Sequence, residues 1–192
     1  MHHARLLPLI VGMLVTSTAL AGSQERLDKG EIIVKIRPVK GSEIPAATVR
    51  AVVDAPPAKV WKIVENCKRY TKTMMRVKKA KEVSRKGNVV VCNVVVDMPW
   101  PIDDLQALTK AVHTVRKDKY YQRKWSLISG DYKTNKGSWT LTPFDKAGKR
   151  TLVVYRAHAV PKISVPKWIQ RAAAKSTFPK LLKHLRKQVA PK

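Results

Sequence analysis

The chain has no G-x-S-x-G elbow, no Walker loop and no G-x-G-x-x-G turn. It therefore lacks the short signatures of α/β-hydrolase, P-loop or dinucleotide chemistry. Its two cysteines, Cys67 and Cys92, form no C-x-x-C pair and have no clustered histidines beside them. That leaves no metal site to assign, and no cofactor is implied. The apolar stretch over residues 6–20 is broken by Pro8 and Gly12 and falls short of the roughly twenty residues a membrane span needs. There are no internal repeats and no sign of a second domain. Acidic side chains are scarce: 13 Asp and Glu stand against 39 Lys and Arg in 192 residues, a formal charge of +26.

What is present at the start reads as an export signal over residues 1–21. Arg5 is its positive end, residues 6–20 its apolar part, and Ala19-Leu20-Ala21 a small-residue cleavage site before Gly22. The residue directly after that site is Gly22 and not a cysteine, so a lipoprotein anchor has no attachment point there. The expected location is the periplasm or the exterior of the cell. About 170 residues remain, enough for one domain with a core. In an oxidising compartment Cys67 and Cys92 are either one bridge, closing a loop of about 25 residues worth roughly 3 kcal/mol, or two buried thiols.

The basic residues are spread along the chain: Arg76, Lys78, Lys79 and Lys81; Arg116, Lys117 and Lys119; Arg123 and Lys124; then the C-terminal segment. A positive field favours an anionic membrane surface, an acidic polymer or nucleic acid. Export leaves nucleic acid out of the expected partners.

Hydrophobic periodicity predicts a meander of about six or seven antiparallel strands. Residues 31–39 are strand-like but contain Pro38, which makes them an edge or an extended arm. Residues 40–45 read as a turn and 48–53 as a surer strand. Pro57 then suits the first turn of a helix, with Val60, Trp61, Ile63 and Val64 on its buried side, and residues 70–75 give a second short helix. Strands follow at 77–84, 89–97, 107–117, 120–129, 138–142 and 151–159, joined by short connections such as Lys86-Gly87-Asn88. Alternation sets Thr109, Ala111, His113 and Val115 on one face, with Tyr121, Trp125 and Leu127, and Val153, Tyr155 and Ala157, on the same side. Trp139 and Leu141 complete that wall. His113 and His158 fall on adjacent or nearly adjacent strands and on opposite faces.

Residues 166–189 predict a long amphipathic helix. Ala174, Phe178, Leu181, Leu182, Leu185 and Val189 share one stripe, while Lys175, Lys180, Lys183, Arg186 and Lys187 lie off it. Trp168, Ile169 and Ala173 are out of phase with that stripe, and Pro179 is expected to kink or restart the helix after Ser176-Thr177. A helix laid over one face of a curved sheet leaves a cavity beneath it. Trp100, between Pro99 and Pro101, and Trp168 suit a pocket mouth or a lipid interface.

With those elements placed, the chain resembles the START-like helix-grip superfamily of lipid-transfer domains, polyketide cyclases and coenzyme-Q-binding proteins. The resemblance rests on the run Val53-Asp54-Ala55-Pro56-Pro57-Ala58-Lys59-Val60-Trp61, on Pro99-Trp100-Pro101-Ile102-Asp103-Asp104, on Gly137-Ser138-Trp139 and on Val165-Pro166-Lys167-Trp168. Many members carry an arginine where Leu105 or Gln106 stands here. The resemblance implies an α+β helix-grip fold: a curved antiparallel sheet, two short helices after the first strand and a long C-terminal helix. An N-terminal arm would occupy residues 22–47 and the domain residues 48–190. It also implies a pocket for one hydrophobic molecule, which we expect to be lined by Thr109, Ala111, His113, Trp125, Leu127, Trp139, Tyr155, Ala157, Ile169, Ala173, Phe178 and Leu181. The expected function is non-enzymatic binding or transfer of a lipid. The alternatives are a cyclase-like enzyme using His113 and Tyr155, or a binder of an anionic polymer.

Overall fold

Eight stretches of alternating sequence lie side by side in the computed structural model, which describes residues 15–190. They are β1 (Ile33–Val39), β2 (Ser42–Val53), β3 (Val77–Lys86), β4 (Val89–Val96), β5 (Leu105–Arg116), β6 (Tyr120–Gly130), β7 (Tyr132–Pro143) and β8 (Thr151–Pro161). All pair antiparallel, in the order β1-β2-β8-β7-β6-β5-β4-β3. From β3 to β8 each strand pairs with the next in sequence, as short connections require. The last strand then meets the second along the register Ala47↔Ala157 to Val53↔Thr151.

The sheet has one strand more than the six or seven expected, and the reason lies at its N-terminal edge. Residues 33–39 are an edge strand, with a register shift between Arg37 and Val39 that accommodates Pro38. Residues 42–47, expected as part of a turn and arm, are the first half of β2. Of the expected export signal, residues 1–14 lie outside the described residues. The helix α1 (Val15–Asp28) then places a fully buried Leu27 against Ile33 and Val52 on the sheet face opposite the main core.

Between β2 and β3 the chain crosses to the far edge of the sheet through α2 (Pro57–Val64), a 3-10 turn (Cys67–Arg69) and α3 (Tyr70–Thr73). Pro57 sits in the first turn of α2, where its missing N–H costs nothing. Val60, Trp61 and Val64 are buried against the sheet. Cys67 and Cys92 are joined as a disulfide, with Cα atoms 6.3 Å apart, and this ties the 3-10 turn to β4.

The C-terminal segment is one continuous helix in three parts: α4 (Lys167–Ala172), a π-helical turn (Ala173–Thr177) and α5 (Phe178–Val189). A π turn takes up more residues per revolution than an α turn. It therefore rotates α4 relative to α5, and it ends two residues before Pro179. The phase mismatch in the sequence is resolved this way rather than by a break: Ile169 is buried, and so are Leu182, Leu185 and Val189. Arg186 Nε donates to the Val52 carbonyl at 2.9 Å, fixing the far end of α5 to β2. Leu182, Leu185, Val49, Val53, Val60, Val64, Leu141 and Val153 form the main core.

Candidate functional site

The helix does not pack flush along the sheet. Two chambers remain, of about 270 Å³ and about 250 Å³, and Tyr155 and Phe178 line both. Phe178 projects from the first turn of α5, with its ring centroid 6.2 Å from that of Tyr155. The first chamber is walled by Tyr70, Met74, Val94, Ala107, Thr109, Arg123, Trp125, Asn135, Trp139 and Leu181. The second is walled by Ile44, Ala47, Met98, Leu105, Tyr132, Ala157, Val165 and Ile169.

Aromatic packing shapes the wall. Tyr155 stacks on Trp125 at 5.9 Å and leans on Trp139 at 4.4 Å. The indole of Trp125 donates from Nε1 to Asn135 Oδ1 at 2.9 Å. Its ring lies flat over β7 because Gly137 is there: a Cβ at that position would fall 2.4 Å from the ring and 2.2 Å from the Arg156 carbonyl oxygen. Burial raises the phenols of Tyr70 and Tyr155 above their ordinary value and pushes Tyr132 up to about 12. These tyrosines stay protonated at neutral pH; Tyr70 spends its O–H on the Val64 carbonyl, whereas Tyr132 and Tyr155 can serve as hydrogen-bond donors.

Of the residues expected to line the pocket, the structure brings Thr109, Trp125, Trp139, Tyr155, Phe178 and Leu181 to the first chamber. Ala157 and Ile169 lie at the second, with Tyr155 and Phe178 again. Three others stand elsewhere. Ala111 and His113 face inward from β5 but at the end of the strand covered by α2, where the His113 ring meets Trp61 edge-on at 5.0 Å. Leu127 lines neither chamber; it packs into the cluster around Ile102, Leu105 and Ile169, of which Leu105 and Ile169 wall the second chamber. The side chain of Ala173 lies outside the described residues. His113 and His158 are not near neighbours, because β6 and β7 lie between their strands. The His158 ring instead contacts the Ile44 carbonyl at 3.0 Å and Ser42 Oγ at 3.1 Å, holding β8 to β2.

The chambers also have walls outside the expected set, among them Tyr70, Met74, Ala107, Asn135, Leu105 and Tyr132, and the buried one that carries charge is Arg123. Arg123 shares the parity of Tyr121 and Trp125, so alternation alone puts it inside, and the structure buries it there. Its Nη1 lies 3.1 Å from His113 Nε2, and its Cζ lies 5.7 Å from the centroid of the Tyr70 ring. Burial first, then the Arg123 charge, lower His113 from 6.5 to about 4, so at neutral pH that imidazole is an uncharged acceptor.

A hollow between a curved antiparallel sheet and a C-terminal helix is the architecture the helix-grip resemblance implied. Residues 53–186 match the family described as polyketide cyclase / dehydrase and lipid transport. The chain belongs to that family. Solved structures with the same fold include a STAR-related lipid transfer protein from Xanthomonas axonopodis, at 21% identity over 82% of this chain and 93% of that one, with a TM-score of 0.71. Human StAR-related lipid transfer protein 5 aligns at 12% identity over 90% and 97%, TM-score 0.71. The Zhui aromatase/cyclase from Streptomyces sp. R1128 aligns at 12% over 75% and 92%, TM-score 0.61. No curated protein matches the sequence. At these identities what is shared with the solved structures is the helix-grip fold. The polyketide cyclase and lipid transport family covers both hydrophobic-ligand binding or transfer and cyclase-like roles.

Proposed function

We propose that the protein is a non-enzymatic carrier that is exported to the periplasm or cell exterior. It binds one hydrophobic molecule, a lipid, in the two-chambered cavity under the C-terminal helix, and its basic exterior draws it to anionic membrane surfaces. The observation that carries this reading is the cavity itself: aromatic and aliphatic walls, with Phe178 from the helix dividing the space. Apolar hollows of this kind bind by removing ligand surface from water at about 25 cal/mol per Å².

Export is supported by the residue pattern at 1–21 and by the Cys67–Cys92 bridge, a cross-link suited to oxidising compartments. Membrane attraction is supported by the charge of +26 and by two exposed indoles. Trp100 is 88% exposed and Trp168 is 51% exposed, on segments that the Ile102, Leu105 and Ile169 cluster packs together. Met98 and Val165, from those same segments, line the second chamber.

The full chain purified from its own host should therefore carry one apolar molecule detectable by native mass spectrometry and extraction. It should also bind vesicles containing phosphatidylglycerol in a way that weakens as salt rises. A preparation of bare polypeptide mass with salt-insensitive vesicle binding would defeat the proposal. The family's cyclase members favour a second reading, an enzyme acting on a hydrophobic substrate. It requires turnover of the bound molecule, with Tyr155 as the hydrogen-bond donor in the cavity.

A further inference from the structure

Arg123 is 3% exposed and belongs to no ion pair among the described residues. Four other arginines among the described residues sit against carboxylates, Arg26 on Glu31, Arg76 on Asp97, Arg85 on Glu82 and Glu65, and Arg150 on Asp145 and Asp28, while the half-buried Arg186 is bonded to a backbone carbonyl instead. Among these residues Arg123 meets neutral groups: the His113 imidazole, the Cys92 sulfur and the Tyr70 phenol, whose ring centroid lies 5.7 Å from Cζ. His113 Nε2 accepts from Nη1, its other ring nitrogen facing Glu65 at 4.0 Å, and Cys92 Sγ lies 3.5 Å from Nη2.

These contacts orient the guanidinium without neutralising it, and they use fewer donors than it presents. A buried charge without a counter-charge is costly and persists where a ligand supplies the missing partner. The guanidinium lines the first chamber, beside Trp125, Thr109 and Tyr70.

We propose that Arg123 is the head-group site of the cavity and that the ligand is an acidic amphipath. A carboxylate or phosphate pairs with the guanidinium, and a single apolar chain or ring system runs past Trp125 and Tyr155 to Phe178. The inference rests on the carrier reading above and names its ligand class. The two chambers, each slightly below the roughly 300–1,000 Å³ of drug-sized sites, suit one chain rather than a bulky diacyl lipid.

The test is calorimetric titration of the full chain with myristate, tetradecyl phosphate and tetradecanol, which share a tail and differ in head. At least one acid should bind about tenfold or more tighter than the alcohol, the factor expected of a charge-assisted bond in a dry site. Which acid wins distinguishes carboxylate from phosphate. Arg123→Gln should bring acid and alcohol to within about twofold while alcohol binding persists, and Arg123→Lys should keep a preference for the acid. Alcohol and acids binding equally well to the wild type would overturn the head-group assignment while leaving the carrier reading intact. An acid preference that survives in Arg123→Gln would overturn it too. Failure of all three ligands to bind would overturn the carrier reading itself, and this inference with it. If Arg123→Gln does not fold, the wild-type comparison of acids with alcohol still decides.

Discussion

His113 gives the molecule its clearest pH signature. Held at about 4 by burial and by Arg123, it is neutral in the folded chain across the range where an unfolded histidine, with a pKa near 6.5, takes up a proton. Its contribution to stability is therefore complete above about pH 6.5. It falls by about 1.4 kcal/mol per pH unit as pH drops towards 4, because the unfolded state then binds more protons. Denaturant titrations at pH 7, 6, 5 and 4 should show this slope, and it should flatten in His113→Gln. An unchanged slope in that variant would assign the effect to carboxylates such as Glu82, whose own value is lowered first by its Arg85 hydrogen bonds. Alternation marks the inward face of β5, and Thr109, Ala111 and His113 are buried, but Val115, expected on the same face, is 52% exposed at the strand's end. Parity cannot say how far along the strand the cavity ends. That is decided by where Trp61 of α2 lands, a tertiary fact. Arg123 is equally readable by parity, but an arginine between Gln122 and Lys124 carries the composition of a surface strand.

Among the elements, the C-terminal helix does the most to shape the cavity, and it is held at its far end. Leu182 and Leu185 are buried in the core, and Arg186 is bonded to β2, while the π turn and Phe178 lie over the hollow. The two ends should respond differently to truncation. Leu185→Ala is expected to cost about 2–5 kcal/mol in equilibrium unfolding. Phe178→Ala should cost less, because its ring borders empty space, and should merge the chambers and admit a longer chain. Equal losses from the two variants would mean that the helix packs uniformly. The stripe from Phe178 to Val189 and the dephased Ile169 were both visible in the sequence. The π turn that reconciles them was not, because a proline in a helical pattern is compatible with a kink, a restart or a wide turn. Pro38 similarly disguised β1, since a bulge can absorb a proline that a regular ladder excludes.

For the molecule as a whole, the excess of basic residues and the apolar hollow are separate physical devices. Lys175, Lys180, Lys183 and Lys187 are exposed on the C-terminal helix, outside the face that meets the sheet, so in the proposed carrier the charge would attract the surface and the cavity would hold the cargo. Each such residue near an anionic surface contributes about 1 kcal/mol, fading within a Debye length of roughly 10 Å. The fold, the hollow and the basic exterior were all implied by the sequence and the resemblance. The division of the hollow into two chambers was not, since it depends on where Phe178 and Tyr155 meet. The most direct measurement of whether cargo enters the hollow is tryptophan quenching by a fatty acid brominated along its chain, because bromine quenches only at contact. Trp125 and Trp139 line the first chamber, whereas Trp100 and Trp168 are exposed at the surface. The account predicts saturable quenching with one ligand per chain, largely lost in a Trp125→Phe, Trp139→Phe variant that remains folded. Quenching that never saturates, or that persists undiminished in that variant, would contradict it.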